Sequence, residues 1–203
     1  MARARSEVKV SVRTGFFGGT FNPIHHGHLI AAQLCLERLR LDRVLFVPTG
    51  IPPHKKQPVT GAKLRLKMTE LAVENNPAFE VNDIEINQNE TSYTIHTLQQ
   101  LKKKNSDSMF YLIIGADEFT EFKSWHRWQE IIELVELAVI NRPGYKLKIP
   151  QDIENYKVHN VQMPNIEISS SKLRMRCRQG LKLDYFVPEK VLNFIRENEL
   201  YRE

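Results

Sequence analysis

The sequence predicts an α/β fold with a parallel sheet covered by helices on both faces. Short apolar runs alternate with helix-period runs along the chain, the pattern of strand–helix–strand crossovers. Val44–Val47 and Leu112–Ile114 are apolar without polar alternation, as expected of strands buried on both sides. Two strand candidates run directly into glycine turns, at Gly15–Gly19 and at Gly115, where a backbone can approach a ligand closely.

The elements follow in order. Val12–Phe17 reads as a strand ending in the glycine turn. Leu29–Leu39 reads as a helix with Leu29, Ala32, Leu36 and Leu39 on one face. Arg43–Pro48 is a second strand. Ala62–Asn75 is a helix whose inward stripe is Leu64, Met68, Leu71 and Ala72, stopped by Pro77. Phe79–Ile86 is a strand, Thr94–Lys103 a helix with Ile95, Leu98 and Leu101 inward, and Met109–Ile114 a buried strand. Trp128–Leu134 is a short helix and Glu136–Ile140 the strand after it. Asn141–Met163 is rich in proline and polar residues and reads as loop, with one short strand near Val158–Val161. Ile166–Ile168 reads as a last strand. Ser171–Arg178 is a helix closed by Gly180, and Glu189–Glu199 is a final helix with Pro188 at its mouth.

Composition narrows the class. At 203 residues the chain fits a single domain, 1–203, with residues 1–10 as a basic arm. With 41% hydrophobic and 26% charged residues it is neither collagen-like nor wholly disordered. Mean hydropathy is −0.40 and no apolar run is long enough to span a bilayer, so no membrane partner is expected. The basic start has no apolar run behind it, which argues against a signal peptide. The two cysteines, Cys35 and Cys177, stand in no CxxC pair, which fits a reducing cytoplasm better than a disulfide scaffold or a zinc site. The net charge of +5 suggests an anionic partner. The basic residues are dispersed and no nucleic-acid-binding signature is present, so a small phosphorylated ligand is favoured over nucleic acid.

The richest stretch runs Gly18-Gly19-Thr20-Phe21-Asn22-Pro23-Ile24-His25-His26-Gly27-His28. It leaves a strand and opens a helix, the place where ligands bind in open α/β sheets. Glycine turn, free helix N-terminal N–H groups and imidazoles make a compact donor cluster for phosphate. His25 and His28 could reach one metal ion, but no carboxylate stands beside them, so no metal ligand set is expected. Near the other end stands Ile168-Ser169-Ser170-Ser171-Lys172-Leu173-Arg174. Its serines cap a helix, and Arg174 one turn on offers a planar fork suited to phosphate oxygens.

The first string resembles the HxGH signature of the nucleotidyltransferase superfamily, and within it the bacterial nicotinate-nucleotide adenylyltransferases. The second resembles that family's ISSTxIR motif, with Ser171 and Leu173 as departures. The resemblance covers nearly the whole chain after Val12. It implies a Rossmann-like, doubly wound sheet and transfer of AMP from ATP to nicotinate mononucleotide, giving deamido-NAD and pyrophosphate. It implies His28, His25 and Arg174 as catalytic. The ATP contacts it implies are Gly18, Gly19, Thr20, Phe21, His25, His28, His54, Lys55, Gly115, Asp117, Ser169, Ser170 and Arg174. Tyr93, Thr94 and Trp125 would seat the mononucleotide, with Thr94 at its carboxylate and Trp125 stacking on the pyridine ring, and Arg142 would lie near the adenosine. His96 stands where that family often has Asp and is assigned no role. Magnesium would be carried mainly by the ATP phosphates. Nicotinamide mononucleotide and phosphopantetheine are the rival acceptors, and homo-oligomerisation is left open.

Overall fold

The computed structural model describes residues 11–53, 60–88, 90–141, 144 and 146–202. The basic arm, His54, Lys55 and Arg142 lie outside the described residues. Six strands form one parallel sheet: β1 (Val12–Gly19), β2 (Arg43–Pro48), β3 (Phe79–Val81), β4 (Ser108–Gly115), β5 (Val135–Asn141) and β6 (Val158–Gln162). Their spatial order is β3-β2-β1-β4-β5-β6. The chain winds outward from β1 in one direction and from β4 in the other, so the doubly wound order is reached with its switch point between β1 and β4.

Period-2 alternation builds two cores, one on each face. Phe17, Val44, Phe46, Tyr111, Ile113 and Ala138 face one way, against helices α1 (His26–Arg38), α2 (Ala62–Val73), α6 (Ser170–Arg178) and α7 (Glu189–Glu197). Their neighbours Phe16, Leu45, Val47, Leu112, Ile114 and Val139 face the other way, against α3 (Thr94–Lys104) and α5 (Trp128–Leu134). This double burial is why the strands read as continuous apolar runs.

Several expectations need correction. The first helix starts at His26, not Leu29. His25 is the extended residue before it (φ −148°), and its N–H is accepted by His28 Nδ1 at 3.2 Å. An imidazole at the third helical position does here what the Glu or Gln of a capping box does elsewhere. The buried side of α1 is Ala31, Ala32 and Cys35, and its leucines pack at the margins. On α2 the buried stripe is Arg65, Met68, Thr69 and Val73, turned away from the predicted one because it carries an arginine. The third strand stops at Val81, since Asn82 Oδ1 accepts the Ile84 N–H and Asp83 O accepts from Ile86 and Asn87, a turn that competes with the ladder. Ile166–Ile168 joins no strand; Ile166 and Ile168 line a cavity instead. A short helix, α4 (Ala116–Thr120), follows β4 and went unpredicted.

Candidate active site

β1 pairs with β4 from Val12–Ser108 to Phe16–Leu112. Beyond that point β1 stays with β2 as far as Gly19–Pro48, and β4 stays with β5 as far as Gly115–Ile140. The split opens a crevice at the carboxyl ends of the strands, which is where a doubly wound sheet binds ligands. Two cavities occupy it. The larger, about 950 Å³, is lined by His25, His28, Gly115, Asp117, Ser169, Ser170 and Arg174, with Phe21 and Asn22. The smaller, about 290 Å³, is lined by Tyr93, Thr94, Trp125 and His126, and by Glu85 and Ser92. Gly18, Gly19, Thr20 and Glu118 line both. The two cavities therefore meet over the last turn of β1.

The imidazoles are held tightly. The His25 and His28 rings stack with centroids 3.7 Å apart and planes 20° apart. Gly27 makes room for this stack, because a Cβ there would lie 3.0 Å from His25 Nδ1. Since His28 Nδ1 accepts the His25 N–H, its ring proton sits on Nε2. His25 Nδ1 is buried and has no hydrogen-bond partner. Burial, and then the neighbouring His26, push His25 down to about 4, and burial and His25 push His28 well below its ordinary value. At neutral pH both rings are thus uncharged N–H donors.

This has a consequence for stability. As pH falls from 6.5 toward 4, the unfolded chain takes up a proton on His25 and the folded chain does not. Folding stability is complete above that window and falls through it, by ~3 kcal/mol from this group alone. Denaturant unfolding at a series of pH values should show the fall, and His25→Asn should flatten that share of it. An unchanged slope in the variant would reject the assignment.

The two motif segments are tied together. Ser170 Oγ donates to Pro23 O at 2.8 Å, and Arg174 Nη1 donates to Asn22 O at 2.7 Å. Arg174 Nη2 also reaches Ser171 Oγ at 3.2 Å, and Ser169 Oγ caps α6 by accepting from the Lys172 N–H. Ser170 spends its proton on the loop, so its hydroxyl is a strut in this geometry. After β4, Glu118 Oε2 accepts the Gly115 N–H at 2.9 Å. Around the smaller cavity, Ser92 Oγ accepts from the N–H groups of Gly50 and Ile51. Gly50 is needed there, since a Cβ would fall 2.1 Å from Glu85 O. Trp125 is half-buried and leans on Phe122 with centroids 5.5 Å apart.

Sequence reasoning missed Arg65, which is 1% exposed. Its guanidinium donates to Thr20 O at 2.8 Å, Thr49 O at 2.6 Å, Gly50 O at 3.2 Å and Thr60 O at 3.3 Å. It joins the loops after β1 and β2, of which Thr20 lines both cavities and Thr49 the smaller. It also missed Glu85, buried and accepting from Thr97 Oγ1 at 2.7 Å.

This switch-point crevice, with its imidazole donors and the Arg174 guanidinium, lies within a chain whose residues 16–176 match the cytidylyltransferase-like family of nucleotidyltransferases. The chain belongs to the nicotinate-nucleotide adenylyltransferase family of these enzymes. A probable nicotinate-nucleotide adenylyltransferase of Geobacillus thermodenitrificans is 43% identical over 190 residues, covering 93% of this chain and 86% of that one. One from Exiguobacterium sibiricum is 39% identical, covering 94% and 99%. A Plasmodium falciparum nicotinic acid mononucleotide adenylyltransferase complexed with NaAD superposes with a TM-score of 0.77 at 20% identity, covering 93% and 97% of the two chains. That last likeness bears on the fold. Among the described residues no helix is long and apolar enough to cross a membrane, and Cys35 and Cys177 are free thiols.

Proposed function

We propose that the chain transfers the adenylyl group of ATP to nicotinate mononucleotide, giving deamido-NAD and pyrophosphate. The observation that carries this reading is the meeting of two cavities over Gly18–Thr20. One cavity suits a triphosphate, with imidazoles, a guanidinium and helix N–H groups; the other, with Trp125 and Tyr93, suits a flat ring. Two substrates seated there would face each other at the junction.

The attacking group is a phosphate monoester, mostly dianionic at neutral pH because its second pKa is ~6. One of its oxygens bonds to the α-phosphorus of ATP, and the bond from that phosphorus to the pyrophosphate oxygen breaks. No proton has to be removed, so no general base is required. The site's work is to hold anions in line and to meet developing charge with fixed donors. His28 Nε2–H and His25 serve the α-phosphate, Arg174 and the first N–H groups of α6 the outer phosphates, and Asp117 the ribose. Tyr93, Thr94 and Trp125 seat the acceptor. Among the described residues no three His, Cys, Asp or Glu side chains converge as a metal cage. The donors lining the larger cavity suit anions, so magnesium would enter with the nucleotide, carried mainly by phosphate oxygens and water, and would supply charge neutralisation for the leaving pyrophosphate.

The test is steady-state pyrophosphate release with ATP and magnesium, with nicotinate mononucleotide, nicotinamide mononucleotide and phosphopantetheine in parallel. The acid should lead in kcat/KM by ~100-fold, about 2.7 kcal/mol. Equal use of acid and amide would keep the chemistry and remove the role of Thr94 in reading the carboxylate. Trp125→Ala should raise KM for the mononucleotide ~10-fold through lost stacking; a rise confined to ATP would contradict that role.

A further inference from the structure

Near the C-terminal end, Tyr201 reaches the loop between β1 and α1, inside the first motif. Helix α7 ends in a reversing turn in which the Glu199 N–H donates to Arg196 O and the Leu200 N–H to Ile195 O, the pattern usually closed by glycine. Here Glu199 takes φ +50° and Tyr201 takes φ +67°. Two non-glycine residues in the left-handed region persist only where surrounding contacts fix them. What fixes them is Tyr201. Its side chain is 8% exposed, and its hydroxyl donates to Asn22 Oδ1 at 2.6 Å, across 179 residues of sequence. Burial raises the phenol pKa, so it remains a donor through the working pH range.

Asn22 is 5% exposed and lies between this tail and the site. Its backbone carbonyl is the acceptor for Arg174 Nη1. Asn22 and Arg174 line the larger cavity, and neither they nor Tyr201 line the smaller one. We propose that Tyr201 is a positioning residue of the transfer reaction: its hydroxyl fixes Asn22, and the Asn22 carbonyl in turn fixes the Arg174 guanidinium on the triphosphate side. The assignment of that side to ATP rests on the function proposed above.

The placement predicts an effect confined to one substrate. In the full chain, Tyr201→Phe should lower kcat/KM for ATP ~10-fold, the scale of one lost hydrogen bond to a buried acceptor. KM for nicotinate mononucleotide should stay within ~2-fold. Because Tyr201 acts through Arg174, adding Tyr201→Phe to Arg174→Lys should cost little further activity. Leu200→Ala loosens the same tail without touching the hydroxyl and should keep wild-type kinetics per folded molecule. If Tyr201→Phe does not fold, Asn22→Ala removes the acceptor from the other side and should give the same ATP-selective loss. Wild-type kinetics in Tyr201→Phe, an equal loss in Leu200→Ala, or full additivity with Arg174→Lys would each overturn the proposal. Calorimetric ATP affinity without an acceptor reads the same contact. A wild-type chain that binds ATP but releases no pyrophosphate with nicotinate mononucleotide would therefore refute the acceptor assignment while leaving this test intact.

Discussion

Replacing His28 by alanine is expected to lower kcat by ~10²-fold or more, with KM for the mononucleotide nearly unchanged. The argument starts from the ring's orientation. His28 Nδ1 is occupied by the His25 N–H, so Nε2–H is the group left to face the larger cavity, which His28 lines. Burial and the stacked His25 keep the ring neutral. It is therefore a fixed donor, already oriented before the phosphates arrive, and such a donor acts mainly on charge that grows in the transition state. His28→Gln can present an amide N–H near the lost Nε2 and should recover part of the loss. The proposed seat of the acceptor is the smaller cavity, which His28 does not line, hence the small effect on its KM. Steady-state kinetics at saturating magnesium check this. An unchanged kcat in His28→Ala would remove the residue from the reaction altogether.

The parts of the molecule that were legible in the sequence are those whose physics is local. The strands could be read because both faces of the sheet are covered, so Val44–Val47 and Leu112–Ile114 are apolar at every step. The candidate site residues among the described ones all line one of the two cavities, because strand ends, glycine turns and helix starts place them there within a few residues. The start of α1 was misplaced because its N-cap residue is a histidine and the reach-back to its N–H comes from another, His28, residue types that carry no capping signal. The stripe on α2 was misplaced because a periodicity argument puts arginine in solvent. Tyr201 and Asn22 could not be paired from sequence at all, since their contact spans 179 positions and Tyr201 stands in no recognisable motif. Arg65 shares that difficulty: its partners are backbone carbonyls, which have no signature in the sequence.

Arg65→Met should cost ~3–5 kcal/mol of folding stability, the upper end for a single substitution. Methionine roughly fills the volume but donates nothing. The carbonyls of Thr20, Thr49, Gly50 and Thr60 would lose the guanidinium together, and buried acceptors left without a donor carry the full cost of desolvation. Glu85 adds to the loss. Burial already pushes its carboxyl up, while hydrogen bonds from Thr97, Ser92 and Gly50 and the charge of Arg65 hold it down. Without the arginine its charged form is less favourable still. For a chain of this size, the midpoint of thermal unfolding should fall by ~10 °C or more. Arg65→Lys should recover little of it, because an ammonium cannot span carbonyls on separate loops with a rigid fork. Activity of the folded fraction should fall for both substrates, since Thr20 lies where the two cavities meet and Thr49 borders the smaller one. That two-sided loss separates Arg65, which carries both loops, from Tyr201, which steadies only the ATP side. A midpoint within ~2 °C of wild type would show that water satisfies those carbonyls and that the guanidinium is not what joins the loops.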